Sequence, residues 1–499
     1  MGRTIDAVSR RDFLRTSAAG LTGLALAGCA PTGAPRGGRR TNVVFILIDD
    51  LGWADLGCYG NTYFESPHID RVARQGMRFT DAYAAASICT PSRAAIQTGK
   101  YPARLNQTAL PENPGFIHTP LTPPEYVRNL SVDETLVGEA FKAAGYTTAL
   151  IGKWHLSTVN QNPAERRRYL PHNQGYDVSM PIMWEGQMFD YFSPHGIGTI
   201  PDGPEGEYLT DRLTDEADRF VRKNAGEPFF LFLSHEGVHA PFQAKEEDIA
   251  YFRKKPSEFR DVNTGEKPAA YAAMIRSVDE GVGKLMATLD ELGLAEDTVV
   301  VIASDNGGSH RATNNAPLRG FKGTGYEGGL RVPLIVRWPG RVRPGAVSGA
   351  VTINTDFYPT LLEAADVPRR PGQHKDGVSL VPVLAGERED LEREAIYWHF
   401  PHYHRTTPFG AVRAGRWKLI EYLERGAVEL YDLERDIGET VNLAGARPEV
   451  TERLRGMLRA WRKRVDAAMP KPNPNADPTQ ETHRSRGNPW TTEWERYGR

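Results

Sequence analysis

The sequence predicts an α/β protein, a large mixed and mostly parallel sheet sandwiched by helices, followed by a smaller C-terminal antiparallel-sheet subdomain with a helix. Three observations carry this prediction. "NVVFILIDD", "YTTALIGKWH", "PFFLFLSHEGVHAP" and "DTVVVIASDNGG" are continuous apolar runs that stop abruptly at polar residues. Such runs suit strands buried on both faces of a parallel sheet. Between them, "DETLVGEAFKAAG" and "YAAMIRSVDEGVGKLMATLDELG" place apolar residues at helical spacing and end on glycine. Strands alternating with helices build an α/β sheet. Later the pattern changes: "AIYWHFPHYH", "GAVRAGRWKLIEYL" and "AVELYDL" read as short strands of an antiparallel meander, with the charged helix "RPEVTERLRGMLRAWRKRVDAAM" behind them.

In chain order, the first segment is a targeting signal. "SRRDFLRTSAAGLTGLALAGCA" carries Arg10 and Arg11 before a mild apolar run and resembles a twin-arginine export signal. The run is too rich in Gly and Ala to serve as a spanning helix, which needs about 20 strongly apolar residues. "LAGC" resembles a lipoprotein cleavage box with Cys29 as the acylated residue; an ordinary cleavable signal is the alternative. The expected location is therefore the periplasm or cell surface. The expected partners in transit are the twin-arginine machinery and a membrane reached only through a lipid anchor at Cys29. The organisation then reads as export signal 1–29, flexible tether 30–41 ("PTGAPRGGRR"), the main α/β domain 42–394, antiparallel subdomain 395–470 and extended tail 471–499.

Composition narrows the class. The 499 residues carry a formal net charge of −2, without the basic excess of a nucleic-acid binder. Three cysteines in a chain of this size do not make a disulfide scaffold, although an oxidising compartment permits a bond between Cys58 and Cys89.

Ligands of open α/β sheets bind beyond the carboxyl ends of the strands. The polar ends of the four runs therefore converge on one edge. Asp49 and Asp50 end the first run, and Asp305 and Asn306 end the last. Three carboxylates and an amide gathered there call for a cation. Hard oxygen donors suit Ca²⁺, or alternatively Mg²⁺, rather than zinc. Cys89 lies in "SICTPSRAAIQTGKYPAR", where Pro91 fits the first turn of a helix and Gly99 its stop. A helix N-terminus favours anions such as sulfate. A small buried thiol is the bland alternative for a cysteine taken alone.

"CTPSRAAIQTG" matches the Cys-x-Pro-Ser-Arg signature of type I sulfatases, and "IDDLGWADLGCYG", "GKWHL", "SDNGG" and "LRGFKGTGYEGGLRVPLIVRWPG" resemble that family's other blocks in order. The resemblance runs from about Asn42 into the meander. It implies the alkaline phosphatase-like fold and the removal of sulfate from a sulfated carbohydrate or aryl sulfate. It also implies that a formylglycine-generating enzyme oxidises Cys89 to an aldehyde. The hydrated aldehyde offers one hydroxyl to attack sulfur and a second to expel sulfate. By the same resemblance Asp49, Asp50, Asp305, Asn306 and an oxygen of modified Cys89 bind the cation. Arg93 holds the hydrate, Lys153 binds sulfate, and His155 is the base for the second hydroxyl. His239 is the proton donor, and Lys322 binds sulfate and helps the leaving oxygen. Lys153 and His155 are expected to alternate along one extended segment and so share a face. His235, the other histidine of "SHEGVHAP", is the second candidate for proton donor after His239, and is otherwise expected to be structural or part of the pocket wall. His399, His402 and His404 are expected to lean towards a sugar pocket, with packing as the alternative, and Cys58 has no assigned role. Two other readings compete: a phosphonate or phosphodiester hydrolase with the same modified cysteine, and an inactive glycan-binding lipoprotein.

Overall fold

The computed structural model describes residues 40–111, 118–158, 162–182, 190–197, 199–256, 267–477 and 479. The export signal with Arg10, Arg11 and Cys29, nearly all of the tether, and the tail beyond 479 lie outside the described residues.

An eight-stranded sheet organises the chain. Its spatial order is Ala346–Ser348, Met77–Phe79, Leu334–Arg337, Thr298–Ser304, Asn42–Ile48, Phe229–His235, Thr147–Lys153 and Val178–Ile182. The last five of these run parallel, and Leu334–Arg337 is antiparallel to both its neighbours. Every residue of the central Asn42–Ile48 strand is buried. Its side chains alternate between two cores: Val44, Ile46 and Ile48 pack on one face, Val43, Phe45 and Leu47 on the other. That is why the run shows no polar alternation: both faces are covered by helices. Burying each such side chain contributes about 1.5–3 kcal/mol relative to leaving it in water.

The Lys267–Glu291 helix lies in the first core and the shorter Val137–Ala143 and Phe357–Ala364 helices in the second. The Val137–Ala143 helix starts later than its pattern suggests. Glu134 is drawn into an ion pair with Lys100 at 2.6 Å, and Glu139 accepts the Leu136 N–H at 2.7 Å, fixing the first turn there.

The meander is a four-stranded antiparallel sheet of Ile396–Phe400, Phe409–Ala414, Trp417–Tyr422 and Val428–Asp432. The Pro448–Arg464 helix packs on it through Leu454, Leu458 and Trp461. This third core also takes in Tyr83, Ile88, Ala95 and Tyr326. The Cys89–Thr98 helix is thereby wedged between the two sheets, and all its residues are buried. Past the meander helix, Lys471–Pro472 pairs with Leu121–Thr122. No helix among the described residues is long and apolar enough to cross a membrane.

Candidate active site

Register places the site. Ile48 lies beside both His235 and Ser304 in the central strands, so Asp49, Glu236 and Asp305 leave the sheet at one level. Lys153 ends the next parallel strand, and Gly152 before it has φ +102°. A Cβ at Gly152 would stand 1.9 Å from the Ser234 carbonyl oxygen, so only glycine lets the two strands approach there. The expected alternation of Lys153 and His155 is not the device that gathers them. His155 lies past the end of the strand with φ +56°, and a turn rather than an extended face brings it in.

Cys89 is the first residue of its helix and is 1% exposed. Gly99 closes that helix in the left-handed conformation, φ +66°. The Lys322 ammonium donates to Cys89 Sγ at 3.2 Å and pairs with Asp50 Oδ1 at 2.6 Å. Lys153 bridges Asp49 and Glu236, the latter at 3.0 Å. Arg93 donates through Nε to Asp305 Oδ2 at 2.9 Å and through Nη1 to Ser234 Oγ at 2.7 Å and the Lys153 carbonyl at 3.2 Å. Its Nη2 pairs with Asp305 at 2.8 Å and lies 3.3 Å from Asp49. His239 holds Nδ1 at 2.6 Å from the Ala240 carbonyl and turns Nε2 to within 3.7 Å of Asp50. Thr90 donates to the His155 carbonyl at 2.9 Å. Cys89, Arg93, Lys153, His239, Lys322, Asp49, Asp50 and Asp305 therefore form one cluster, with His155 tied to its edge by Thr90.

Electrostatics follow from burial and crowding. Burial alone would raise Asp49, but Lys153 and then Arg93 hold it well below the usual carboxylate range. Burial, with Asp49 next to it, pushes Asp305 up to about 7. Burial, then Lys322 and Lys153, pulls His239 down to about 4. His155 is also well below its usual value, through burial first and Lys153 second. Burial, then Asp49, pushes the Cys89 thiol up, so it rests protonated and is a poor nucleophile as it stands.

The donor set fits a hard cation. Carboxylate oxygens of Asp49, Asp50 and Asp305 all lie within 4.8 Å of one another. Asn306 donates to Asp50 at 2.8 Å, and its own Oδ1 is buried without a hydrogen-bond partner. Three carboxylates and an orphaned amide oxygen match the preferences of Ca²⁺ and Mg²⁺.

Several groups fall elsewhere. His235 is fully buried, and both ring nitrogens lack a hydrogen-bond partner. Burial brings it to about 4, and among the described residues it forms no ion pair or hydrogen bond with the ionic cluster. His399 spends Nε2 on the Ala468 carbonyl at 2.9 Å, and His402 on Thr108 Oγ1 at 2.7 Å. These two serve packing, which corrects the expectation of a sugar pocket for them. His404 differs, because the charges of Arg405 and Lys322 act on it. Cys58 and Cys89 are both free. Glu236 and Ser234 were not singled out from the sequence, although both sit in the quoted "SHEGVHAP" segment at a strand end.

Comparison with known proteins agrees with this architecture. The sulfatase family model matches residues 41–367, and a model described as N-sulphoglucosamine sulphohydrolase, C-terminal, matches 321–464. A sulfatase of Formosa agariphila is 32% identical over 495 residues, covering 85% of this chain and 89% of its own. Human arylsulfatase A is 31% identical over 490 residues, covering 86% of this chain and 89% of its own. The solved structure of Ps i-CgsB in complex with k-i-k-neocarrahexaose superposes with a TM-score of 0.71 at 28% identity, over 89% of this chain and 97% of that one. The chain belongs to the sulfatase family of the alkaline phosphatase-like superfamily and is a sulfuric ester hydrolase.

Proposed function

We propose that this sulfatase removes sulfate from a sulfated carbohydrate through formylglycine derived from Cys89, with Asp49, Asp50, Asp305 and Asn306 holding Ca²⁺ or Mg²⁺. The observation that carries the reading is the placement of Cys89 at a buried helix start, its Sγ 3.2 Å from the Lys322 ammonium. Asp49 and His239 stand at the same point: each has a ligand atom within 4.8 Å of that sulfur. The sulfur marks where an oxygen of the hydrated aldehyde would stand. As that hydrate, residue 89 supplies one hydroxyl to attack sulfur and a second whose deprotonation releases sulfate. A cation at the acids supplies charge that neutralises sulfate and lowers the pKa of the attacking hydroxyl.

The remaining roles fall to side chains in place. Lys322 approaches the position of the sulfate from a loop and Lys153 from a strand end, both kept charged by carboxylate partners. Arg93 ties Asp49 and Asp305 to the Cys89 helix and so fixes the acids relative to the nucleophile. His155 rests neutral, as a base for the second hydroxyl must. Burial, reinforced by Lys322 and Lys153, keeps His239 neutral in the unliganded site. A bound sulfate opposes them and favours the protonated form, which serves the leaving oxygen.

At 1% exposure Cys89 is out of reach of a modifying enzyme once the chain has folded, which supports conversion before folding. With export through the twin-arginine signal, which carries folded proteins, that order places conversion in the cytoplasm. Cys29 then anchors the product at the membrane. The oligosaccharide complex of Ps i-CgsB supports a carbohydrate substrate.

The test is sulfate release from a panel of sulfated mono- and oligosaccharides, with an aryl sulfate and matched phosphonate and phosphodiester substrates alongside. Release from sulfated sugars is expected. Turnover confined to the phosphorus compounds would overturn the reading.

A further inference from the structure

We infer that Arg405 forms a subsite for a second oxyanion of the substrate, a sulfate or carboxylate carried near the scissile sulfate; this rests on the sulfated-carbohydrate reading above.

The Arg405 Nη1 is buried without a hydrogen-bond partner, and among the described residues no carboxylate forms an ion pair with its guanidinium. The acid whose charge acts on it is Asp50, and Asp50 is already paired with Lys322 at 2.6 Å. Arg311 acts on it with like charge. His310 feels the same surroundings: Arg405, Arg311 and Lys267, all cationic. His404, the neighbouring residue, presents a buried Nδ1 that also lacks a partner. This is a cationic corner with unused donors, and it adjoins the active site. A buried unpaired N–H on a charged group forfeits its hydration, so the corner is costly unless a ligand completes it.

Position separates this corner from the scissile group. The Arg405 side chain lies against Gly323, where a Cβ would stand 3.0–3.3 Å from its Cβ, Cγ and Cδ. Gly323 follows Lys322, whose ammonium reaches Cys89. The Gly323 N–H donates to the Ser87 carbonyl at 2.7 Å and the Lys322 N–H to Gly308 at 3.0 Å, so this loop is held in place. Sulfate at residue 89 already has Lys322 and Lys153. Arg405, on a separate loop packed against the residue after Lys322, is spaced for another group. A planar guanidinium grips sulfate or carboxylate through paired N–H donors.

The test uses matched substrates: a monosulfated sugar the enzyme hydrolyses, the same sugar with a second sulfate, and the same sugar linked to a uronate. Wild-type enzyme is expected to favour a doubly charged member by about tenfold in kcat/KM, the worth of one good charge-assisted contact. Whichever doubly charged member shows the preference names the anion. Arg405→Met should collapse that ratio towards one, and Arg405→Lys should keep part of it. Absence of a preference in the wild type overturns the inference without reference to any variant. An equal loss on all members also overturns it, because Arg405 would then serve the scissile sulfate or the fold. No turnover of any sulfate ester would remove the underlying reading, and this one with it.

Discussion

Replacing Arg93 by lysine keeps one positive charge and removes the guanidinium fork. Arg93 is 3% exposed and contacts Asp305 through two nitrogens at 2.9 and 2.8 Å, Ser234 at 2.7 Å and the Lys153 carbonyl at 3.2 Å. A lysine ammonium has three donors on one atom, so it cannot reproduce the fork's five contacts, which also include Asp49 at 3.3 Å. At least one charge-assisted contact to Asp305 is lost, together with the Ser234 or Lys153 contact. Hydrogen bonds made by a charged group contribute about 1.5–3 kcal/mol each, so losing two should cost Arg93→Lys about 3–6 kcal/mol of stability. The acids would also no longer be fixed relative to Cys89, and a misplacement near 1 Å costs about a hundredfold in rate. Denaturant unfolding and steady-state sulfate release, measured on the same preparation, check both numbers. A variant with wild-type midpoint and kcat would refute the reasoning, because the fork would then be doing nothing a point charge cannot do.

Two further outcomes are expected. Asp305→Ala should weaken binding of Ca²⁺ or Mg²⁺ by at least about tenfold in a calorimetric titration and remove most activity, as chelation of the wild type should; full activity in metal-free enzyme would contradict the site. Asp279 accepts the Ile69 and His68 N–H groups at 2.7 and 3.1 Å, and burial raises it to about 6. Because its folded value lies above its unfolded one, its contribution to stability is present below about pH 4 and is lost as pH rises through about 6. Asp279→Asn should therefore flatten the stability–pH curve across that window by about 1–3 kcal/mol, and a curve of unchanged slope would contradict the assignment.

The sheet was legible because a strand buried on both faces must be apolar throughout, and "NVVFILI" and "TVVVIAS" are short, β-branched runs that suit a strand better than a buried helix. The site was legible because its residues stand where such runs end, and parallel strands bring their carboxyl ends to one edge. Glu236 was not, since its partner Lys153 is remote in sequence and an acid in a strand-end loop is ordinarily solvated. Arg405 was hidden for the same reason: only the fold shows that a cation in "PHYHRTTP" lies against the Lys322 loop. His399 and His402 misled because a ring nitrogen bonded to Ala468 or Thr108 leaves no trace in local sequence. The Lys153–His155 pair misled differently. Period-two reasoning presumes a strand that continues, and the chain turns into positive φ at His155.

The central claim is that residue 89 acts as an aldehyde hydrate and not as a thiol. The most direct measurement is the mass of the tryptic peptide containing residue 89, taken from enzyme of known specific activity, with hydrazide labelling of the same sample. The account predicts the aldehyde mass and labelling in proportion to activity, with Cys89→Ser inactive and unlabelled. Fully active enzyme carrying an unmodified thiol at residue 89 would contradict it.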